Sequence, residues 1–267
     1  MGACCYSKLV SKKQLDFVKS TAEQYMKHSD KLYHTMEHID DVVCFVRLIL
    51  ASIRKKRIYC RTWKYIRFEN NLIMAAYMHD LGHPMDESRV ILEQLVHRKS
   101  VDFCDMENMS DFTTEKLHAE LFKAECSKII RDDDMVYILE LIEATTLKTY
   151  TTNHIDLGKT IIRCADLSNF TDVWGKHKRS TRRLCDEMRT HMCPQKQMVF
   201  IEMVVLPQFY LLHSLVKTPE TKAWIKNICD NLSMWNYTMM NQSSTINICP
   251  DQSVHIGQVI YDYRNTI

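Results

Sequence analysis

The chain has 267 residues, 46% of them hydrophobic and 25% charged, which is enough apolar surface for one sizeable domain and excludes intrinsic disorder. The 35 Lys and Arg against 33 Asp and Glu leave a net charge of +2, far from the basic balance of a general nucleic-acid binder, so no nucleic-acid partner is expected. Scattered cysteines (11, with no CxxC pair and no secretory leader ahead of them) point to reduced thiols in a cytoplasmic setting, and no apolar run approaches the roughly 20 residues that span a bilayer.

The N-terminal Met1-Gly2-Ala3-Cys4-Cys5 offers Gly2 for myristoylation and Cys4 and Cys5 for palmitoylation, with Lys8, Lys12 and Lys13 nearby to meet anionic lipid. Tyr6 stands where the myristoylation pattern places Ser or Thr, and the hydroxyl comes one place late at Ser7. Peripheral attachment at the cytoplasmic face of a membrane is one expectation; an unmodified, frayed terminus is the other. Helical periodicity begins at Leu15, Val18, Ala22, Tyr25 and Met26 and resumes at Ile39, Val42, Val43, Val46 and Leu50. Further helices are expected over Phe68–His79, Ser88–His97, Thr114–Ile130, Met135–Leu147, Asp156–Asp166, Thr171–Arg189, Gln195–Val216 and Pro219–Tyr237. Thr218-Pro219 reads as an N-cap with proline in the first helical position. Alternating strand patterns are scarce and no Pro-, Gly- or Ser-rich linker divides the chain, so an all-α, compact multi-helix bundle is expected.

Four separated segments carry chemistry: Tyr33-His34-Thr35-Met36-Glu37-His38, His79-Asp80-Leu81-Gly82-His83-Pro84, Glu115-Lys116-Leu117-His118 and Cys164-Ala165-Asp166-Leu167-Ser168-Asn169. His38, His79, Asp80 and Asp166 form a mixed nitrogen and oxygen set that suits zinc and leaves carboxylate oxygen for a harder ion. Two cations roughly 3.5–4 Å apart can turn a bridging water into hydroxide and clamp phosphate oxygens. His34 and His38, four apart, are expected on one face at a helix start, and Glu115 and His118, three apart, also share a face. The basic stretch from Lys176 to Arg183 could contact phosphates, although a solvated helix face is the plainer reading.

The order H…HD…D resembles the HD-domain superfamily. Tyr33-His34-x-x-x-His38-x-x-Asp41-Val42, His79-Asp80-x-x-His83-Pro84, Cys164-Ala165-Asp166-Leu167-Ser168-Asn169 and Gln197-x-x-Phe200-Ile201 narrow the likeness to class I cyclic nucleotide phosphodiesterases, from about Tyr33 to Phe209. The resemblance implies an N-terminal segment over residues 1–30, a catalytic domain over 31–245 and a C-terminal tail over 246–267. It implies zinc held by His38, His79, Asp80 and Asp166, with Asp80 bridging to a second ion, Mg2+ or Mn2+, that is otherwise hydrated. His83, Glu115, His118 and Thr145 would then support the metal-bound waters, and His34 would be the general acid that protonates the leaving 3′ oxygen. Gln197 and Phe200 match the purine-selecting glutamine and aromatic clamp, Leu184 the opposite apolar jaw, and Tyr33, Leu167 and Asn169 would line the same pocket.

The activity implied is hydrolysis of 3′,5′-cyclic AMP, cyclic GMP or both to the 5′-monophosphate by attack of a bridging hydroxide. An HD-type phosphohydrolase acting on another nucleotide, or a weakly active nucleotide-binding scaffold, would need less of the pattern. Departures keep those alternatives open. Gly82 and Thr146 stand where the family has aspartates, Thr35 and Ser88 replace asparagines, Met85 a glycine and Phe170 a proline, and the stretch between Glu187 and Gln197 is short. Neither an oligomeric state nor a choice between cyclic AMP and cyclic GMP is legible.

Overall fold

The computed structural model describes residues 2–27, 31–55, 63–81, 114–146 and 156–242, with side chains described from residue 12 in the first stretch, 64 in the third and 118 in the fourth, and as far as 241 in the last. Among these residues every regular element is helical: α1 (Gly2–Met26), α2 (Met36–Lys55), α3 (Trp63–Met78), α4 (Thr114–Cys126), α5 (Asp132–Glu143), α6 (Leu157–Asp166), α7 (Trp174–Glu187), α8 (Pro194–Phe200), α9 (Leu206–Val216) and α10 (Pro219–Gln242). A 3-10 turn over Leu167–Thr171 follows α6, and a π-helical turn over Ile201–Val205 joins α8 to α9.

Local chemistry explains several of the boundaries. Asp156 caps α6 by accepting the Lys159 N–H at 2.8 Å, and three aspartates in the first turn of α5 face its positive helix end. Thr218 accepts the Thr221 N–H at 3.2 Å ahead of Pro219, so α10 begins where the sequence reading puts it and runs on to Gln242. Gly158 is required by packing: a Cβ there would lie 2.1 Å from the Tyr137 hydroxyl.

The interior is one continuous apolar cluster. On α2, Ile39, Val42, Val46, Ile49 and Ile53 repeat at intervals of three and four, and all are fully buried. Each such side chain contributes about 1.5–3 kcal/mol of transfer free energy. Helix α2 packs on α3 and α6, α3 on α1 and α5, α5 on α4, and α9 on α6 and α10. Val18 and Ala22 seat α1 in this core, and Gln14 donates to the Ile129 carbonyl at 2.6 Å. The start of α2, the end of α3 and the end of α6 thus meet at one end of the bundle.

The expected helix from Thr171 to Arg189 begins only at Trp174, because Asp172 and Val173 are extended. Asn231 holds that break open, donating to the carbonyls of Phe170 at 2.9 Å and Asp172 at 2.8 Å, while Asn227 takes Thr171 at 2.9 Å. The helix ends at Glu187, with Arg189 at a left-handed φ of 50°. The helical stretch Pro194–Val216 reaches 23 residues and is apolar enough to cross a membrane by length and composition, although Lys196 and Glu202 interrupt its apolar run. Ile201, Val205, Phe209, Leu212 and Val216 lie in the protein core, as in the central helix of a bundle. The expected helix Ser88–His97 lies outside the described residues.

Candidate metal centre

His38 comes from the first turn of α2, His79 and Asp80 from the turn just beyond α3, and Asp166 from the last residue of α6. One ligand atom from each lies within 4.8 Å of all the others. His38 Nε2 is 3.1 Å from Asp80 Oδ2 and 3.5 Å from Asp166 Oδ1, and His79 Nε2 is 3.1 and 3.4 Å from the same oxygens. Yet His38 Nε2, His79 Nε2 and Asp80 Oδ2 are buried and make no well-aligned hydrogen bond among the described residues. Buried polar atoms are almost always satisfied. Three such atoms aimed at a common point, two imidazole nitrogens and a carboxylate oxygen, fit a cation.

The charges are correspondingly tense. Burial alone would lower the His38 pKa, but the Asp166 and Asp80 carboxylates outweigh it and push it up to about 9; His79 is raised for the same reason. Burial alone would raise Asp166, but His38 and His79 bring it down to about 2, and Asp80 also falls well below the usual carboxylate range. Protons on the imidazoles thus do the work of neutralising two adjacent carboxylates, Asp80 buried and Asp166 half-buried, work that a divalent ion can take over.

Supporting contacts orient this set. His79 Nδ1 donates to the Ala76 carbonyl at 2.9 Å, which turns Nε2 toward the cluster. His118 Nδ1 donates in turn to the His79 carbonyl, so the buried His118 touches the backbone of a candidate ligand. Thr145 is buried at the end of α5 and its hydroxyl donates to the Ile142 carbonyl at 2.8 Å. His83 and the side chains of Glu115, Gly2, Cys4 and Cys5 lie outside the described residues.

His34 is not on α2, as its spacing from His38 suggests, but in the turn before it. The two rings are nonetheless close, with centroids 6.0 Å apart at 86°. What places His34 is Glu187, at the end of α7: its Oε1 takes the His34 Nδ1 proton, while its Oε2 accepts the backbone N–H groups of Tyr33 at 2.8 Å and His34 at 3.1 Å. Burial would raise the Glu187 pKa, but the His34 imidazole and these N–H groups hold it below the usual value. Sequence reasoning assigned Glu187 no role; its position three residues after Leu184 was the available signal. The Tyr33 ring lies 4.8 Å from that of His38, and burial, with Asp166 and Asp80 nearby, keeps its phenol protonated.

Beside the cluster is a cavity of about 130 Å³. It is lined by Tyr33, His38 and Asn169, by Lys176, Arg179 and Arg183 of α7, and by Glu37 and Asp41. Asn169 Oδ1 is buried there without a hydrogen-bond partner among the described residues. Leu184, Gln197 and Phe200 do not line this cavity. Leu184 and Gln197 are half-buried, Leu167 is buried, and the Phe200 ring lies 5.6 Å from that of Phe170, which lies 4.8 Å from the His177 ring.

No protein-family model and no curated protein matches the chain. Solved structures do. The structure of LmjPDEB1 in complex with IBMX shares 15% identity over 88% of this chain and 84% of that one, with a TM-score of 0.60. The phosphodiesterase domain of the Salpingoeca rosetta rhodopsin phosphodiesterase shares 17% over 87% and 82%, TM-score 0.59. The phosphodiesterase domain of the RhoPDE fusion protein from the same choanoflagellate shares 16% over 90% of each chain, TM-score 0.60. Across nearly its whole length, the chain therefore has the all-α fold of phosphodiesterase catalytic domains.

Proposed function

We propose that this chain is a metal-dependent phosphodiesterase that hydrolyses 3′,5′-cyclic nucleotides, cyclic AMP, cyclic GMP or both, to nucleoside 5′-monophosphates. The observation that carries the reading is the convergence of His38, His79, Asp80 and Asp166 within 4.8 Å, on a fold shared with phosphodiesterase domains. These four side chains would hold zinc, and Asp80 would reach a second ion, Mg2+ or Mn2+, with waters supported by His83, Glu115, His118 and Thr145. When bound, such ions supply an activated water and neutralise charge on the phosphate.

The protein's own groups account for the remaining requirements. The leaving 3′ oxygen departs as a strongly basic alkoxide unless a proton reaches it, and His34 is the donor assigned here. With Nδ1 engaged by Glu187, proton transfer falls to Nε2. Glu187 is a positioning residue: one carboxylate oxygen holds the His34 ring through Nδ1, and the other fixes the backbone that carries it. The buried, unpartnered Asn169 carbonyl oxygen can accept from the substrate, and the neutral Tyr33 adds an apolar ring beside the metal ligands. Gln197 is assigned to the purine edge, with Phe200, Leu184 and Leu167 against the base faces.

The deciding experiment is direct. Purified protein is incubated with zinc plus magnesium or manganese and each cyclic nucleotide, and the products are separated by chromatography. The 5′-monophosphate should appear in a chelator-sensitive manner; its absence under every metal combination rejects the assignment.

A further inference from the structure

The basic stretch of α7 has a placement that the metal cluster does not require. Lys176, Arg179 and Arg183 stand at i, i+3 and i+7, one face of the helix, and all three line the cavity that Tyr33 and His38 also line. Two of these cations are balanced. Lys176 lies 3.4 Å from Asp41 and 3.3 Å from Asp172, and Arg183 lies 2.9 Å from Glu37. Arg179 makes no ion pair or hydrogen bond among the described residues.

A volume of about 130 Å³ is small beside the roughly 300–1,000 Å³ of a pocket that encloses a whole ligand. The cavity therefore suits one end of a molecule whose other end lies at the cluster, since His38 belongs to both. With Lys176 matched by Asp41 and Asp172 and Arg183 by Glu37, Arg179 is the cation of this wall with no ion pair among the described residues, and the group it would receive is an anion. A guanidinium presents a planar fork of donors that matches phosphate oxygens, and the Ser180 hydroxyl in the same wall adds another donor. A cyclic mononucleotide has a single phosphate, which the metal cluster claims.

We propose that this cavity binds a second phosphate group carried by the same molecule as the scissile phosphodiester, with Arg179 as its main partner, so that phosphorylated dinucleotides belong to the substrate class. The proposal rests on the preceding reading in that the cluster takes the scissile phosphate. It adds a specificity determinant on α7, and the purine pocket has no part in it.

The test compares adenylyl-(3′→5′)-adenosine with its 5′-phosphorylated form by calorimetry, using the whole chain with zinc and magnesium. The phosphorylated ligand should bind about ten-fold more tightly, the modest end of a charge-assisted contact at an exposed site, and the advantage should shrink as salt rises. Arg179→Gln should bring the ratio of the two dissociation constants to near one, and Arg179→Lys should keep part of it. A wild-type ratio near one, a ratio unmoved by Arg179→Gln, or no binding of either dinucleotide overturns the proposal. Failure to hydrolyse cyclic AMP counts against the proposed activity instead, and leaves the reading of this ratio intact.

Discussion

His34 and Glu187 are 153 residues apart in the chain, yet one carboxylate takes both the ring Nδ1 proton and the backbone N–H of the same histidine. Side chain and main chain are thereby fixed by a single partner. If His34 is the acid, Glu187→Gln should lower kcat for cyclic AMP by about 100-fold, the lower end of what a general acid supplies, with little change in KM. His34→Asn should cost about 100–10,000-fold while bound zinc, measured by mass spectrometry, stays level. The double variant should be no slower than His34→Asn alone, because both changes remove one function. A 4-nitrophenyl ester, whose leaving group needs little protonation, should be hurt less by either change. Equal losses on both substrates would reject the acid assignment.

Asp80→Ala should bring hydrolysis to background and reduce bound metal, because Asp80 Oδ2 sits 3.1 Å from both imidazole nitrogens and Asp80 is the carboxylate that would serve both ions. Metal content and turnover should fall together. Retained turnover in this variant contradicts the two-metal reading.

Gln197→Ala should raise KM for cyclic AMP and cyclic GMP well above its effect on bis(4-nitrophenyl) phosphate, since the glutamine is assigned to the base and not to the phosphate. Steady-state kinetics on the three substrates decide it. A uniform loss favours a phosphohydrolase with another nucleotide substrate.

His177 gives a pH prediction away from the metal ligands. It is fully buried, accepts the Trp235 indole N–H at 2.9 Å, and burial lowers its pKa from 6.5 to about 4, against a smaller upward pull from the Asn169 backbone. The unfolded chain therefore binds the extra proton first as pH falls. The stabilisation is fully present above about pH 6.5 and is lost progressively toward pH 4. Between pH 6.5 and 5 the loss is about 2 kcal/mol. His177→Gln, which retains an acceptor for Trp235, should flatten that part of the pH dependence in urea unfolding. An unchanged slope would contradict a neutral buried His177.

Much of the helical layout is legible in spacing alone, because the apolar residues of α2 or α6 have only one way to face a common core. The convergence of His38, His79, Asp80 and Asp166 is less so: each sits at a helix end, and only the resemblance links segments that lie up to 128 residues apart. What spacing misreads is local. The interval from His34 to His38 mimics one helical turn, but the chain is not yet helical at His34. The Asp172–Val173 break depends on Asn227 and Asn231, far along the sequence, so no local propensity announces it. Glu187 was invisible for a similar reason, since a lone glutamate at a helix end ordinarily faces water. The charge of the cavity beside the cluster depends on which face of α7 turns inward, which composition does not disclose.

The asparagine clamp also orders events in time. Asp166 ends α6, and the turn that follows it is held by side chains 56 to 61 residues further along the chain. A ribosome adding about 5–20 residues per second completes the ligand set roughly 3–12 seconds before it delivers those asparagines. During that interval the Phe170, Thr171 and Asp172 carbonyls lack the donors that hold them in the folded chain. Closure of the turn after Asp166 is therefore a late, long-range event, completed only when α10 reaches it.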